Sequence, residues 1–373
     1  MIKRPPTMNN GIRDTRYGIR NIKNNRGAIL IVVIWILVIL TLLGTALSRR
    51  SSVDLSLAKY SIDKLKSRYL ALAGFQYSLA KIIEDSRDKD SQGSDTLFQC
   101  GVHLGGETLQ EVFESVPARN GSFAVGYRSA DPGVDSGMVF GFRDEERRLN
   151  LNGLDPQNYR IFQELLMILD VDPQTAQTIA ASTVDWQDAD QEAIDPPYGE
   201  EGEGYQRLAK PYLCKNRPLD HVAELLLVKG MTPEIFDRVK DFVTVFPKRA
   251  GRLTVNFNTA PLEVLQALGR SVAGPQTNTT PDDADGMARK IADFRAGGDG
   301  IPMTGDDRAL EAKTVAFNSK ERAIFQTISP YRVQVSQVLR ITVTGREEKR
   351  GVPATIDAVV SRNDLAILSW MSE

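Results

Sequence analysis

From Ala28 to Ser48 the chain carries no charge and is apolar at nearly every position. At about 1.5 Å per residue this run matches a hydrocarbon core of about 30 Å, so the pattern predicts a membrane-spanning helix; it is too long for the core of a secretory signal peptide. The pattern then changes period without stopping. Leu55, Ala58, Ile62, Leu65, Tyr69, Leu72, Leu79 and Ile83 form a stripe at helical spacing, interrupted at Gln76, and no proline intervenes between Ala28 and Glu84. The prediction is one long helix whose second half packs on a soluble domain. Residues 85–108 are polar and read as a loop. GSFAVGYRSA from Gly121 and GMVFGFRDEE from Gly137 have strand character and flank the turn-rich ADPGVDS; YRVQVSQVLRITVTG and PATIDAVVSR give two more strands near the C-terminus.

Between those strands, residues 151–329 change to helical periodicity. Helices are predicted over Gln157–Leu169, Asp172–Gln187, Asp220–Val228, Pro233–Phe246, Pro261–Leu268 and Asp283–Arg295, several opening on N-cap or proline signals such as Asp172-Pro173, Thr232-Pro233 and Thr259-Ala260-Pro261. Inside this block LNLNGLD at Leu149 is echoed by VNFNTAP at Val255, each leading into a helix. A helical block is thus inserted into a sheet.

Charge orients the chain. Residues 1–27 hold Lys3, Arg4, Arg13, Arg16, Arg20, Lys23 and Arg26 against Asp14, which is +6, and positive flanks stay cytoplasmic. The whole chain is −2, so residues 28–373 carry −8, a poor match for nucleic acid. Two histidines, His103 and His221, and two cysteines, Cys100 and Cys214, argue against a zinc site or a Cys/His nucleophile and leave a Cys100–Cys214 bridge open.

These features together resemble a known family. A basic leader ending in Gly27, followed at once by an uncharged helix, resembles the class III leader of type IV pilins and pseudopilins. LNLNGLD, TVDWQDADQEA, PPYGEEGEGY, PYLCKNRPLDHVAELLLVKGM and VNFNTAPLEVLQAL, in that order, resemble the general secretion K subunit, the large minor pseudopilin of type II secretion. The resemblance implies an α+β pseudopilin fold: a long N-terminal transmembrane helix packed on a small antiparallel sheet, with a large all-α domain inserted between strands. Its segments are a prepilin leader at 1–27, the membrane half of the helix at 28–48, the amphipathic helix and first strands at 49–150, the insert at 151–329 and the last strands at 330–373.

By the same resemblance the chain is a non-enzymatic subunit that forms part of the pseudopilus tip and primes its assembly. It sits in a bacterial inner membrane with its N-terminus cytoplasmic and its C-terminal domain periplasmic. A prepilin peptidase cuts between Gly27 and Ala28, and the new terminus is methylated. Val32 stands where most pilins have glutamate, which suits a cap with no neighbour above it. The partners implied are I- and J-type, and H-type, minor pseudopilins, with no nucleic acid. The helix face Val32, Leu55, Ile62, Leu65, Tyr69 and Leu72 is expected to pack on neighbouring helices.

The densest acidic stretch, Asp185, Asp188, Asp190, Glu192 and Asp195 followed by Glu200, Glu201 and Glu203, has the oxygen chemistry of a calcium loop. It is no EF-hand, because a frame begun at Asp188 has Ala193 at the turn glycine and Gly199 at the last ligand. The resemblance places the calcium ligands at Asp185, Asp188, Asp190 and Glu201; the family's further acid is here Gly202. Three other readings compete. ELLLVKGMTPEIFDRVKDF suggests a helix-hairpin-helix DNA receptor, Asp185/Asp188 or Glu145/Glu146 pose as catalytic carboxylates, and a type IV pilus minor pilin is the nearest relative of the main reading.

Overall fold

A computed structural model describes residues 26–87, 94–128, 137–248, 252–310, 315–348 and 352–373. The leader up to residue 25 and the whole ADPGVDS turn lie outside the described residues. The chain divides into two units, Met1–Ser61 and Ile62–Glu373.

Helix α1 (Arg26–Arg87) contributes to both. In the first unit every residue from Gly27 to Ser61 is exposed, and the helix is long and apolar enough to cross a membrane. Several of its hydroxyls bond within the helix: Thr41 donates to Val38 O at 2.8 Å, Thr45 to Leu42 O at 2.9 Å and Ser56 to Ser52 O at 2.9 Å. In hydrocarbon, where no water can serve them, such local partners matter.

In the second unit α1 lies on the sheet, but not by the predicted stripe. Ile62, Leu65, Tyr69 and Leu72 are exposed, Tyr69 at 64%. The buried face is Asp63, Ser67, Leu70, Ala71, Gly74, Phe75, Ser78, Ile82 and Asp85. Close approach explains the difference. A Cβ on Gly345 of the sheet would lie 2.2 Å from Ser67 O and 2.3 Å from Ala71 N, and one on Gly74 would meet Phe123 and Val343 at 2.6 Å. Small residues set the helix–sheet distance here, and a pattern of large apolar side chains does not see them.

The chain continues through α2 (Leu109–Phe113), capped by a reciprocal Thr108–Glu111 box, into β1 (Val116–Ala118), β2 (Gly121–Arg128), β3 (Met138–Phe140) and β4 (Arg143–Asp144). It then leaves the sheet. The excursion begins with β5 (Leu149–Asn150), α3 (Arg160–Ile168), α4 (Pro173–Asp185), α5 (Gly202–Gln206), α6 (Pro233–Val239) and β6 (Val243–Thr244). It goes on with β7 (Val255–Asn256), α7 (Leu262–Val272), α8 (Pro281–Arg295), α9 (Ser319–Ile328) and β8 (Arg332–Val333). β9 (Val338–Glu347), β10 (Pro353–Ser361) and β11 (Ile367–Ser372) complete the sheet.

The sheet order is β1-β2-β9-β10-β11, antiparallel throughout, with β3 on β2 and β4 on β9. Exit and return of the insert are adjacent: Asp144 pairs with Leu339 in register. Phe75, Phe123, Val125, Leu339, Ile341, Val343 and Ile356 fill the core between α1 and the sheet, and Trp370 meets Phe75 edge-on at 4.9 Å.

Four elements correct the sequence expectations. Residues 220–228 form a 3-10 segment, Val222–Leu227, rather than an α-helix. The helix expected over Pro233–Phe246 stops at Val239, because Val243–Thr244 pairs in parallel with Leu149–Asn150. Helix α9 and strand β11 were not expected. The two thiols are free, Cys100 in the sheet core and Cys214 half-buried against the core of the insert.

The sequence echo is a structural duplication. β5 pairs in parallel with β6 as β7 does with β8. Asn150 Oδ1 accepts from Asn152 N at 3.0 Å, and Asn256 Oδ1 from Asn258 N at 3.1 Å. Asn152 and Asn258 each hold a buried leucine N–H, Leu219 at 2.8 Å and Leu310 at 2.7 Å. Gln187, after α4, donates to Leu151 O, as Arg295, ending α8, donates to Phe257 O.

Candidate functional site

The acidic loop follows from the end of α4. Asp172 caps that helix at Thr175 N, Pro173 fixes its first turn, and its C-terminal residue is Asp185. Asp185 is fully buried; its Oδ1 accepts from Ile194 N at 2.9 Å, while its Oδ2 has no hydrogen-bond partner. The loop closes tightly over this carboxylate: a Cβ on Gly199 would lie 2.3 Å from Asp185 Oδ2, so only glycine fits.

Carboxylate oxygens of Asp188, Asp190 and Glu201 lie within 4.8 Å of one another. Asp185 stands beside this group rather than in it. Asp188 Oδ1 and Glu201 Oε1, like Asp185 Oδ2, are buried without a partner among the described residues. Burial, and then the neighbouring acids Asp185, Asp188 and Asp190, push the Glu201 carboxyl up to about 7. Burial likewise lifts Asp185 to about 6, and burial with Asp190 raises Asp188. Orphaned, desolvated carboxylate oxygens converging in one loop are the donor set of a hard divalent cation such as calcium. Of the other acids of the stretch, Glu192 is exposed, Asp195 accepts from Tyr159 Oη at 2.9 Å and Gln177 at 2.6 Å, Glu200 pairs with Lys229 at 3.1 Å and Glu203 with Arg207. A Cβ on Gly202 would touch nothing within 4 Å, so a side chain there has room and glycine leaves that donor out.

An aromatic cluster that the sequence reading missed backs the loop. Trp186 meets Tyr205 edge-on at 5.2 Å and Tyr205 stacks on Tyr212 at 5.3 Å. Tyr212 Oη donates to Leu227 O, Asn216 N to Trp186 O, and the Cys214 thiol to Asp185 O at 3.4 Å. The signal available was the spacing of one Trp and two Tyr around the acids.

Several residues of the rival readings are engaged within the fold. Gly230, at φ +84°, packs its turn against Thr178 and Ile179, and Lys229 Nζ donates to Pro197 O and Gly199 O beside its pair with Glu200, so the lysine of that hairpin is engaged by the acidic loop. Glu145 is buried between Arg148 and Arg340, and Glu146 accepts from Gln337 N and Thr254 Oγ1. His103 and His221 are exposed, and the His221 N–H donates to Glu224.

Gly27 and Ala28 lie in the exposed first turns of α1. Val32 and Leu55 are exposed on the same unit.

Comparison with known proteins agrees with this architecture. The family described as Type II secretion system (T2SS), protein K matches residues 147–248. The Type II secretion system protein K of Klebsiella pneumoniae is 26% identical over 63% of this chain and 66% of its own length, and that of Pectobacterium carotovorum subsp. carotovorum 25% identical over the same shares. The match therefore spans just under two thirds of those relatives. The protein K of Aeromonas hydrophila is 30% identical over 34% of this chain and 42% of its own. Among solved structures, the GspK-GspI-GspJ complex from the enterotoxigenic Escherichia coli type 2 secretion system holds a chain of the same fold, with a TM-score of 0.58 over 85% of this chain and 99% of that one, at 15% identity.

Proposed function

We infer that a chain whose residues 147–248 match the type II secretion protein K family, and whose fold is that of the K subunit's solved relative, works as a K-type minor pseudopilin of a type II secretion system. The observation that carries this reading is the combination of an apolar, fully exposed helix from Ala28 with a sheet that is opened by a duplicated helical insert. Its role is structural: it forms part of a pseudopilus tip and primes assembly. The basic leader keeps the N-terminus cytoplasmic and sends the acidic bulk to the periplasm. The stripe Ile62, Leu65, Tyr69 and Leu72, which the sheet leaves uncovered, is available to neighbouring pseudopilin helices, and Val32 and Leu55 of the first unit are exposed as well. The solved relative was complexed with GspI and GspJ, which supports I- and J-type subunits as partners; an H-type subunit would join below.

Co-expression with a prepilin peptidase tests the route. The intact mass is expected to begin at a methylated Ala28, and Gly27→Ala is expected to leave the leader attached. A wild-type chain that stays uncleaved, or one cut at another position, would remove the pseudopilin reading.

Calcium at Asp188, Asp190 and Glu201, with Asp185 beside them, is part of the same proposal. The ion would supply the positive charge that the orphaned oxygens of Asp185, Asp188 and Glu201 lack, with the exposed Asp190 as a further ligand, and would pin the loop to the end of α4. A ligand that binds only the native state stabilises it by about 2.7 kcal/mol at a hundred times its dissociation constant. The melting temperature of the full chain in detergent is therefore expected to rise with calcium and fall with chelator, and Glu201→Gln to abolish most of the difference. No calcium-dependent shift in the wild type would sink the site. The pH dependence has a definite sign. Glu201 is raised in the folded state, so the metal-free protein is favoured below about 4.5 and loses that contribution as pH rises through about 7; calcium binding strengthens over the same interval as the carboxyl ionises.

A further inference from the structure

A second cluster, remote in chemistry from the acidic loop, sits where the helical insert leaves the sheet. Asp95, Cys100 and Asp144 are all buried, and one carboxylate oxygen from each acid and the sulfur lie within 4.8 Å of one another. We propose that these three residues bind a thiophilic divalent cation of the zinc class, which fastens the insert to the sheet. The reading goes beyond the pseudopilin role and does not depend on it.

Three observations carry it. First, Asp144 is 3% exposed and its Oδ1 has no hydrogen-bond partner among the described residues, while its Oδ2 accepts from Asn256 Nδ2 at 2.9 Å and Thr259 Oγ1 at 2.5 Å. A bare carboxylate oxygen in a dry seam is costly unless something charged meets it. Second, negative charge is in excess immediately around the triad. Asp85, Asp95, Asp144 and Glu146 face Arg362 and Arg147: Arg362 bridges Asp85 and Asp95, and Arg147, beside Asp144, donates through Nε to Thr259 O. The Cys100 thiolate formed on binding raises that excess from two to three, and a divalent cation offsets two of the three. Third, the donor set is mixed. Asp95 Oδ2 is taken up by Ser336 N at 2.6 Å, Asn256 Nδ2 at 3.5 Å and Arg362 Nη1 at 3.2 Å, whereas Oδ1 accepts from Arg362 Nη1 at 2.9 Å and keeps a second lone pair for a metal. One thiolate with two carboxylates suits tetrahedral zinc, whose bonds of about 2.3 Å to sulfur and 2.0–2.2 Å to oxygen leave a fourth position, and does not suit calcium.

A cleft lined by Asp85, Asp95, Gln99, Gly101 and His103 gives a path to the cluster. Burial holds the Cys100 thiol well above its ordinary range, so it carries its proton when no metal is there. Binding forms a metal–sulfur bond and releases that proton to solvent.

The chain has only two cysteines, which makes the test clean. The full-length Cys214→Ser protein, in which Cys100 is the sole thiol, is produced in medium where cobalt(II) replaces zinc, purified in detergent and dialysed. About one equivalent of retained cobalt with a near-ultraviolet thiolate-to-cobalt charge-transfer band is expected, and Asp144→Asn added to it should weaken retention at least tenfold. Cobalt retained without that band, or no cobalt retained, overturns the proposal. Should Cys214→Ser fail to fold, wild type is compared with Cys100→Ser, and a band of equal strength in both overturns it as well.

Discussion

Gly345→Val is expected to destabilise the sheet unit by about 4 kcal/mol or more, a large share of a stability on the order of 5–15 kcal/mol. The cause is backbone against backbone. Any Cβ at position 345 would press into Ser67 O and Ala71 N of α1, and neither is the end of a flexible side chain that could swing away. Relief requires lifting α1 off β9, which uncovers Phe75, Ala71 and Val343 and breaks the bond from Glu347 N to Ser67 Oγ at 3.0 Å. Urea unfolding of the full chain in detergent, followed by the fluorescence of Trp370 against Phe75, gives the midpoint. An unchanged midpoint would show that the contact yields easily and that α1 is not held at this distance.

Glu145→Ala is expected to cost about 3–5 kcal/mol, the range for breaking a buried ion pair by removing one partner. Glu145 is wholly buried between the guanidinium groups of Arg148 and Arg340 and also accepts from Thr244 Oγ1 at 2.5 Å. Its removal strands Arg148, itself buried, without a counter-ion. Glu145→Gln isolates the charge from the space. Burial opposes ionisation of Glu145, but Arg148 and Arg340 outweigh it and hold the carboxyl down to about 2. The folded value lies below the unfolded one near 4.5, so the contribution, on the order of 3 kcal/mol, is present above about 4.5 and is lost as pH falls toward 2. The gap in stability between wild type and Glu145→Gln should therefore be full at pH 6 and close near pH 2. A gap that does not narrow on acidification would mean that the ionic pairing is not what Glu145 contributes.

The acids of this seam were visible in the sequence and their purpose was not. Asp144, Glu145 and Glu146 read as one charge run, fit for solvent or for paired-carboxylate chemistry, because their partners Arg340, Ser336, Thr244, Thr254 and Thr259 lie about a hundred to two hundred residues away. By contrast the acidic loop was legible, since its ligand-type residues fall within one short stretch beginning at the end of a well-capped helix. The apolar span and the strand–helix–strand order were legible for a similar reason: each rests on local periodicity. The docking face of α1 was not, because Ser67, Ala71, Gly74 and Ser78 act by being small, whereas Ile62, Leu65 and Tyr69 are conspicuous and uncovered. Strand β11 escaped notice because its alternation is blurred by exposed Ile367, Trp370 and Met371 at the sheet edge.

The position of the insert also sets a timetable. β9 is the strand that β2, β4 and β10 all join, and it comes more than 190 residues after β4 in the chain. As the polypeptide is made, α1, β2 and β4 precede β9 and keep their apolar faces uncovered until it arrives, while the intervening segment can already close its own core. Completion of the helical block brings residue 338 back beside residue 145, where Glu145 N meets Val338 O at 3.0 Å in the finished protein. The excursion thus shortens an otherwise very long loop closure, delivering the late strands to the place where the early ones stopped.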